Sequence, residues 1–93
     1  MKNEQLRAFI AVVEQGSFRA AASTLFKTQP TVSASIKALE EQFGFTLFSR
    51  EQYRPALTAK GKTFYRQAKL LIKQAAELEM LGHELAQHDA PTL

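Results

Sequence analysis

Ser17-Phe18-Arg19-Ala20-Ala21-Ala22-Ser23-Thr24-Leu25-Phe26-Lys27-Thr28-Gln29-Pro30-Thr31-Val32-Ser33-Ala34-Ser35-Ile36-Lys37 is the stretch that decides the fold of this chain. Ser17 suits a helix N-cap, and the three alanines favour a helix from Phe18 to about Leu25 that presents little bulk to a neighbour. Phe26-Lys27-Thr28 breaks the pattern. Pro30 fits only the first turn of a new helix, where its missing N–H is not needed. After it Val32, Ile36, Leu39 and Phe43 step by +4, +3 and +4, a buried stripe ended by Gly44. The opposite face carries Pro30, Ala34, Lys37 and Glu41, flanked by Thr31 and Ser33. It is small and polar near its start.

Upstream, Leu6, Phe9, Ile10 and Val13 form the stripe of an amphipathic helix from about Glu4 to Gln15, with Asn3 as its N-cap and Gly16 as a left-handed terminator. Downstream, two short apolar runs, Phe45 to Arg50 and Pro55 to Thr58, bracket Glu51-Gln52-Tyr53-Arg54 and suggest a small hairpin or extended loop. Pro55 keeps that hairpin to an edge position. Thr58 then caps a long helix from about Ala59 to Ala86 or a little beyond. Its stripe is Phe64, Ala68, Leu71, Ala75, Leu78, Leu81 or Gly82, and Leu85, alternating +4 and +3 like the seam of a coiled coil. Such a helix, roughly 40 Å long by the standard rise, cannot bury its stripe on so small a domain, so it is expected to pair with a second copy. A core helix within a bundle is the alternative reading of the same stripe.

Charge is unevenly placed. The 93 residues carry 12 Lys plus Arg against 9 Asp plus Glu, a formal charge of +3. From Gly16 to Lys73 ten basic residues face three acidic ones, and from Gln74 onward there are four acidic residues and no Lys or Arg. The middle is therefore +7 and the tail −4, which points to a polyanion partner for the middle. With no cysteine there is no disulfide framework and no thiolate metal cluster. The first residues lack the apolar core of a signal peptide, and no apolar run approaches membrane-spanning length; the expected location is the cytoplasm, with no membrane partner.

Two helices joined tightly, the second with a small polar N-terminal face, make a helix-turn-helix, and a hairpin with Arg at both shoulders makes it winged. The physical logic concerns DNA. A helix enters the major groove only if its groove-facing side chains are small or are themselves readers, and its N-terminus aims backbone N–H groups at phosphate. Gln29 can pair bidentately with adenine, Pro30 and Ala34 can touch a thymine methyl, and Thr31 and Ser33 reach phosphate or a base edge. Lys37 is a further contact on the same face. Arg50, Arg54 and Lys27 are expected on the backbone or minor groove, and the capping hydroxyls of Ser17 and Thr28 can face DNA as well. The bland readings are ordinary surface charge for Lys37, Arg50 and Arg54, a lead into a proline turn for Gln29, and simple caps for the hydroxyls.

Phe9-Ile10-Ala11-Val12-Val13-Glu14-Gln15-Gly16-Ser17-Phe18, then Ala21-Ala22 and Leu25, resemble the opening of the LysR-type transcriptional regulators. The resemblance continues in order through Gln29-Pro30-Thr31-Val32-Ser33, Ile36, Leu39-Glu40, Phe43-Gly44, Leu47-Phe48-Ser49-Arg50 and Leu57-Thr58-Ala59-Lys60-Gly61. It implies a mainly α winged helix-turn-helix, a three-helix core plus a short β-hairpin wing over residues 1–58. It also implies a dimerising linker helix over 59–88, and at 89–93 the start of a hinge to an effector-binding domain outside this chain. The intact protein would bind an imperfect inverted repeat near promoters as a homodimer or higher oligomer, with a small-molecule effector acting only through that other domain. The chain departs from the family at Arg19-Ala20, where Thr-Arg is frequent, and at Ser33-Ala34-Ser35, where Ser-Arg-Gln is common. It departs also at Lys60, in place of a small residue, and at Thr28, in place of Ser. Losing two long side chains on the recognition helix shifts weight toward shape and backbone contacts.

Other chemistries find little support. His83 and His88 are five apart, the wrong spacing for a shared helical metal face; Glu40 and Glu41 point to different faces; no Gly-rich phosphate loop or nucleophile elbow is present. No cofactor, metal or catalytic residue is expected. A protein-interaction module, with the helix-turn-helix as scaffold and the long helix as adaptor, is the rival to DNA binding, and the basic block argues against it.

Overall fold

The computed structural model describes residues 1–49 and 54–88. Its elements in order are α1 (Asn3–Gln15), α2 (Phe18–Leu25), α3 (Gln29–Phe43), β1 (Phe48–Ser49), β2 (Ala56–Leu57) and α4 (Ala59–Gln87). The two strands pair antiparallel with Phe48 opposite Leu57 and Ser49 opposite Ala56. This is the mainly α winged helix-turn-helix expected from the sequence. The expected hairpin tip at residues 51–53, Arg50 and the hinge at 89–93 lie outside the described residues.

Most boundaries follow from capping chemistry. Gly16 and Gly44 terminate α1 and α3 in the left-handed region at φ 78° and 76°. Ser17 Oγ accepts from the Ala20 N–H at 3.0 Å, Thr28 Oγ1 from Thr31 N–H at 3.2 Å, and Thr58 Oγ1 from Gly61 N–H at 2.9 Å. Each cap satisfies an N–H that the first helical turn leaves without a partner. At α1 the expectation needs correction. Asn3 is inside the helix and Lys2 holds the N-cap position; having no side-chain acceptor, Lys2 is tied instead through its own N–H, which donates to Gln5 Oε1 at 3.0 Å. α3 begins at Gln29, which puts Pro30 in its first turn as expected.

Phe9 is the hub of the core. It has no exposed surface, and its ring meets Phe48 at 5.6 Å, Phe64 at 5.7 Å and Tyr65 at 6.1 Å, all edge-on. Leu6, Val12, Val32, Ile36, Leu39 and Leu47 fill the remaining interior, while Ala21 and Ala22 allow α2 to lie close. Phe43 departs from the expected buried stripe. It is 43% exposed, because the helix ends there and its ring turns to Phe45 and Phe64 instead.

The first half of α4 belongs to this core. Ala68 is 5% exposed and Phe64, Tyr65 and Ile72 pack against the cluster, so two residues expected in a dimer seam, Phe64 and Ala68, are occupied within the domain. Glu14 closes the contact: it lies 3.0 Å from Lys69 Nζ and holds that ammonium above its ordinary pKa, first by hydrogen bonding and then by charge. Beyond Ile72 the helix is exposed except at half-buried Ala75, in a chain measuring 57 × 26 × 19 Å. Among the described residues no helix is long and apolar enough to cross a membrane.

One residue sits in a costly conformation. Phe26, the C-cap of α2, has φ 56° and is 94% exposed. Left-handed backbone penalises a side chain, and this ring recovers nothing by burial. Phe26→Gly is therefore expected to raise the free energy of unfolding by about 0.5–1 kcal/mol, after allowing for glycine's freedom in the unfolded chain. Urea denaturation of the two proteins checks it; a less stable glycine variant would contradict the assignment.

Candidate nucleic-acid interface

The residues expected to read DNA converge on the start of α3. Lys27, Thr28, Gln29, Pro30, Thr31, Ser33, Ala34 and Lys37 are all exposed, while Val32, Ile36 and Leu39 on the same helix are buried. One side of α3 anchors the helix and the other stands free. Pro30, Ala34 and Lys37 follow one another by +4 and +3 along the free side, with Ser33 beside them. At its tip the Thr28 and Thr31 hydroxyls are 2.8 Å apart, so the first turn presents an ordered pair of hydroxyls, while Pro30 has no N–H and the Thr31 N–H is held by Thr28 Oγ1.

Ser17 lies apart. It is half-buried at the far end of the eight-residue α2 and its oxygen is engaged by Ala20, so the structure displays a cap there. Arg54 is exposed at the entry to β2, on the wing. Arg7, which sequence reasoning passed over, lines a hollow of about 280 Å³ beside α3 together with Glu4, Leu25, Lys27, Thr31 and Ser35. Its placement follows from the register of α1: Leu6 and Ala8–Val12 go inward, and Arg7 comes out on the edge facing α3.

What holds the wing to the recognition helix was not foreseen either. Glu40, on the last turn of α3, reaches across the Gly44 turn. Its Oε2 accepts from Leu47 N–H at 2.7 Å and from Phe48 N–H at 3.5 Å. Charge-assisted bonds of this kind to backbone N–H groups are about twice as strong as neutral ones. On the other side, Thr58 Oγ1 donates to the Thr46 carbonyl at 2.6 Å and Thr58 N–H donates to the Leu47 carbonyl at 3.0 Å. Gly61 packs so closely that a Cβ there would overlap the Leu47 carbonyl oxygen. The strand entering the wing is thus pinned from α3 and from α4 at once.

Among the described residues there is no group of three His, Cys, Asp or Glu that could hold a metal ion. The surface is built instead from hydroxyls, an amide, aliphatic carbons and cations, the chemical groups that contact phosphates and base edges.

Glu40→Ala is expected to cost about 1.5–3 kcal/mol of stability by leaving the Leu47 N–H without its acceptor, and Glu40→Gln to recover part of that loss. Urea denaturation of the three proteins measures it; an alanine variant as stable as the wild type would show that Glu40 does not brace the wing.

Comparison with known proteins follows the same outline. Residues 3–62 match the family model described as bacterial regulatory helix-turn-helix protein, lysR family. The HTH-type transcriptional regulator CrgA of Neisseria meningitidis serogroup C (strain 8013) is 40% identical over 88 residues, 91% of this chain and 29% of that protein. The Hca operon transcriptional activator HcaR of Escherichia coli (strain K12) is 34% identical over 89 residues, 96% of this chain and 30% of that protein. The chain thus spans under a third of the length of these relatives. Among solved structures, the BenM DBD–benA site 1 DNA complex superposes with TM-score 0.88 at 35% identity, covering 92% of this chain and 97% of that one. The CbnR DBD–DNA complex gives TM-score 0.82 at 34% identity, covering 92% and 99%.

Proposed function

The chain belongs to the lysR family of bacterial regulatory helix-turn-helix proteins, and from this we propose that it is the DNA-reading part of a cytoplasmic transcriptional regulator. The observation that carries the reading is the free face of α3, small, polar and bordered by Lys27 and Lys37, within a segment of ten basic to three acidic residues. Support comes also from the likeness to the BenM and CbnR complexes with DNA.

In this account the N-terminal half of α3 lies in the major groove. Gln29 reads an adenine, Pro30 and Ala34 lie against thymine methyls, and Thr31, Ser33 and Lys37 reach phosphate or base edges. Lys27 and Arg54 hold the backbone, and Arg50, outside the described residues, is assigned to the wing on sequence grounds alone. Response to a small-molecule effector belongs to parts of the protein beyond this chain.

The second element of the proposal is pairing with another copy. Leu71, Leu78, Leu81 and Leu85 of α4 are all exposed, and with Gln67 and Gln74 they step by +4, +3, +4, +3 and +4. This seam is rotated away from Phe64 and Ala68, which face the domain core. Beside it Arg66 and Lys73 lie toward the start and Glu77 and Glu84 toward the end of one flank, spaced +7, +4 and +7. Two helices laid antiparallel place Arg66 near the partner's Glu84 and Lys73 near the partner's Glu77. A register two residues from that alignment sets Leu71 against the partner's Leu81 and Gln67 against the partner's Leu85, with the charged side chains still within reach along the flank. A parallel pair would set the charged flank against Ala68, Ala75 and Gly82, where no charge is available.

Two outcomes test these readings. Arg54→Ala is expected to weaken all duplex sequences about equally and to reduce the slope of log K against log salt by about one unit, whereas Gln29→Ala relaxes preference at one base pair per half-site. Fluorescence anisotropy across a salt series measures both; salt-insensitive binding by the wild type would overturn the DNA reading. Leu78→Asp is expected to leave a folded monomer in sedimentation at concentrations where the wild type is dimeric, because it places a charge in the apolar seam. A wild type that is monomeric at high micromolar concentration would overturn the pairing.

A further inference from the structure

The hollow of about 280 Å³ beside α3 divides its lining by burial. Buried Ala8 and Val32 and half-buried Leu25 make an apolar floor; exposed Glu4, Arg7, Lys27 and Thr31 and half-buried Ser35 make a polar rim. We propose that this hollow seats one phosphodiester of the DNA backbone. Arg7 and Lys27 hold the phosphate oxygens, the Ser35 hydroxyl is a further donor, and the floor meets the adjoining deoxyribose. The proposal rests on the DNA reading of α3 given above and brings α1, a helix outside the helix-turn-helix, into the same interface.

Dimensions bring backbone to this place. The major groove is about 12 Å wide and a helix with its side chains is about 10–12 Å across, so a helix in the groove has a phosphate strand against each flank. Pro30 and Ala34 mark the middle of the free face of α3, and Thr31 and Ser35 each follow by one residue, about 100° round the helix. The hollow therefore lies on a flank of the reading helix, where a strand of backbone passes, and not on the face that meets base edges.

The chemistry of the rim suits an anion. Among the described residues Glu4, Arg7 and Lys27 form no ion pair, and the Ser35 hydroxyl has no hydrogen-bond partner. Two cations and a hydroxyl, from α1, the α2–α3 turn and α3, thus line one hollow with their bonding capacity unspent. A guanidinium can fork onto two phosphate oxygens, and an ammonium adds a point charge. Glu4 opposes an anion, but two cations to one carboxylate leave the rim positive. Lys27 reaches the hollow through the left-handed turn at Phe26, φ 56°, which sets Lys27 beside Leu25 while the Phe26 ring stays in solvent.

Ethylation interference, which removes the charge of one DNA phosphate at a time, tests the seat together with a salt series. In fluorescence anisotropy Arg7→Ala is expected to bind duplex DNA about tenfold more weakly, with the slope of log K against log salt reduced by about one unit, and Arg7→Lys to recover most of both. Arg7 is exposed, so the alanine variant keeps its fold, which urea denaturation checks. One phosphate per half-site is expected to interfere when ethylated in the wild-type complex and to stop interfering in the Arg7→Ala complex, while the others are unchanged. A wild-type salt slope or a wild-type interference pattern in Arg7→Ala overturns the seat and leaves α3 as the reading helix. Binding by the wild type that ignores salt overturns the DNA reading and the seat with it. Glu4→Gln is expected to tighten binding about threefold by removing the opposing charge from the rim. Weaker binding by that variant would make Glu4 the partner of the two cations, and the seat would fall.

Discussion

Everything beyond the three-helix core depends on how the backbone at Thr46–Phe48 is held. Glu40 binds its N–H groups from α3, Thr58 binds its carbonyls from the start of α4, and the missing side chain of Gly61 lets α4 come within contact of Leu47. The wing, the recognition helix and the long helix therefore share one joint. A backbone that lost these partners would leave polar groups without bonds in a partly buried place, at a cost of about 1–3 kcal/mol each. The joint is what converts a small helical cluster into a rigid presentation of α3 and Arg54 relative to α4.

Electrostatics then assign the ends of the molecule. The cations at Lys27, Lys37 and Arg54 stand on the reading side, and Glu77, Glu79 and Glu84 lie on the part of α4 that extends past the core. Duplex DNA attracts the first set and repels the second, which orients the domain before any base is read. In the proposed pairing the same acidic end complements Arg66 and Lys73 of a second copy, so that one uneven charge distribution would serve both binding events through different residues.

The fold was readable in the sequence wherever a single residue type has few uses. Gly16, Gly44, Pro30, Thr28 and Thr58 mark helix ends because left-handed backbone, a missing N–H and a capping hydroxyl leave little choice. The exposed face of α3 followed directly from the burial of Val32, Ile36 and Leu39. What escaped depends on long-range contact. The α4 stripe looked continuous from Phe64 to Leu85, and only packing shows that its first two members, Phe64 against Phe9 and Ala68 in the core, are spent inside the domain. The bracing role of Glu40 escaped because nothing local reveals that the chain turns back on it after Gly44. Phe26 gave no warning, since a left-handed phenylalanine leaves no periodic trace.

Selection of bound sequences from a random pool of duplex DNA, carried out with the wild type and with Gln29→Ala, tests the central claim most directly. The account predicts that the wild type enriches two half-sites related by an inverted repeat, and that Gln29→Ala keeps their spacing while losing preference at one symmetric pair of positions. A pool no different from the unselected DNA, or identical preferences in the two proteins, would contradict the assignment of α3 as the reading helix.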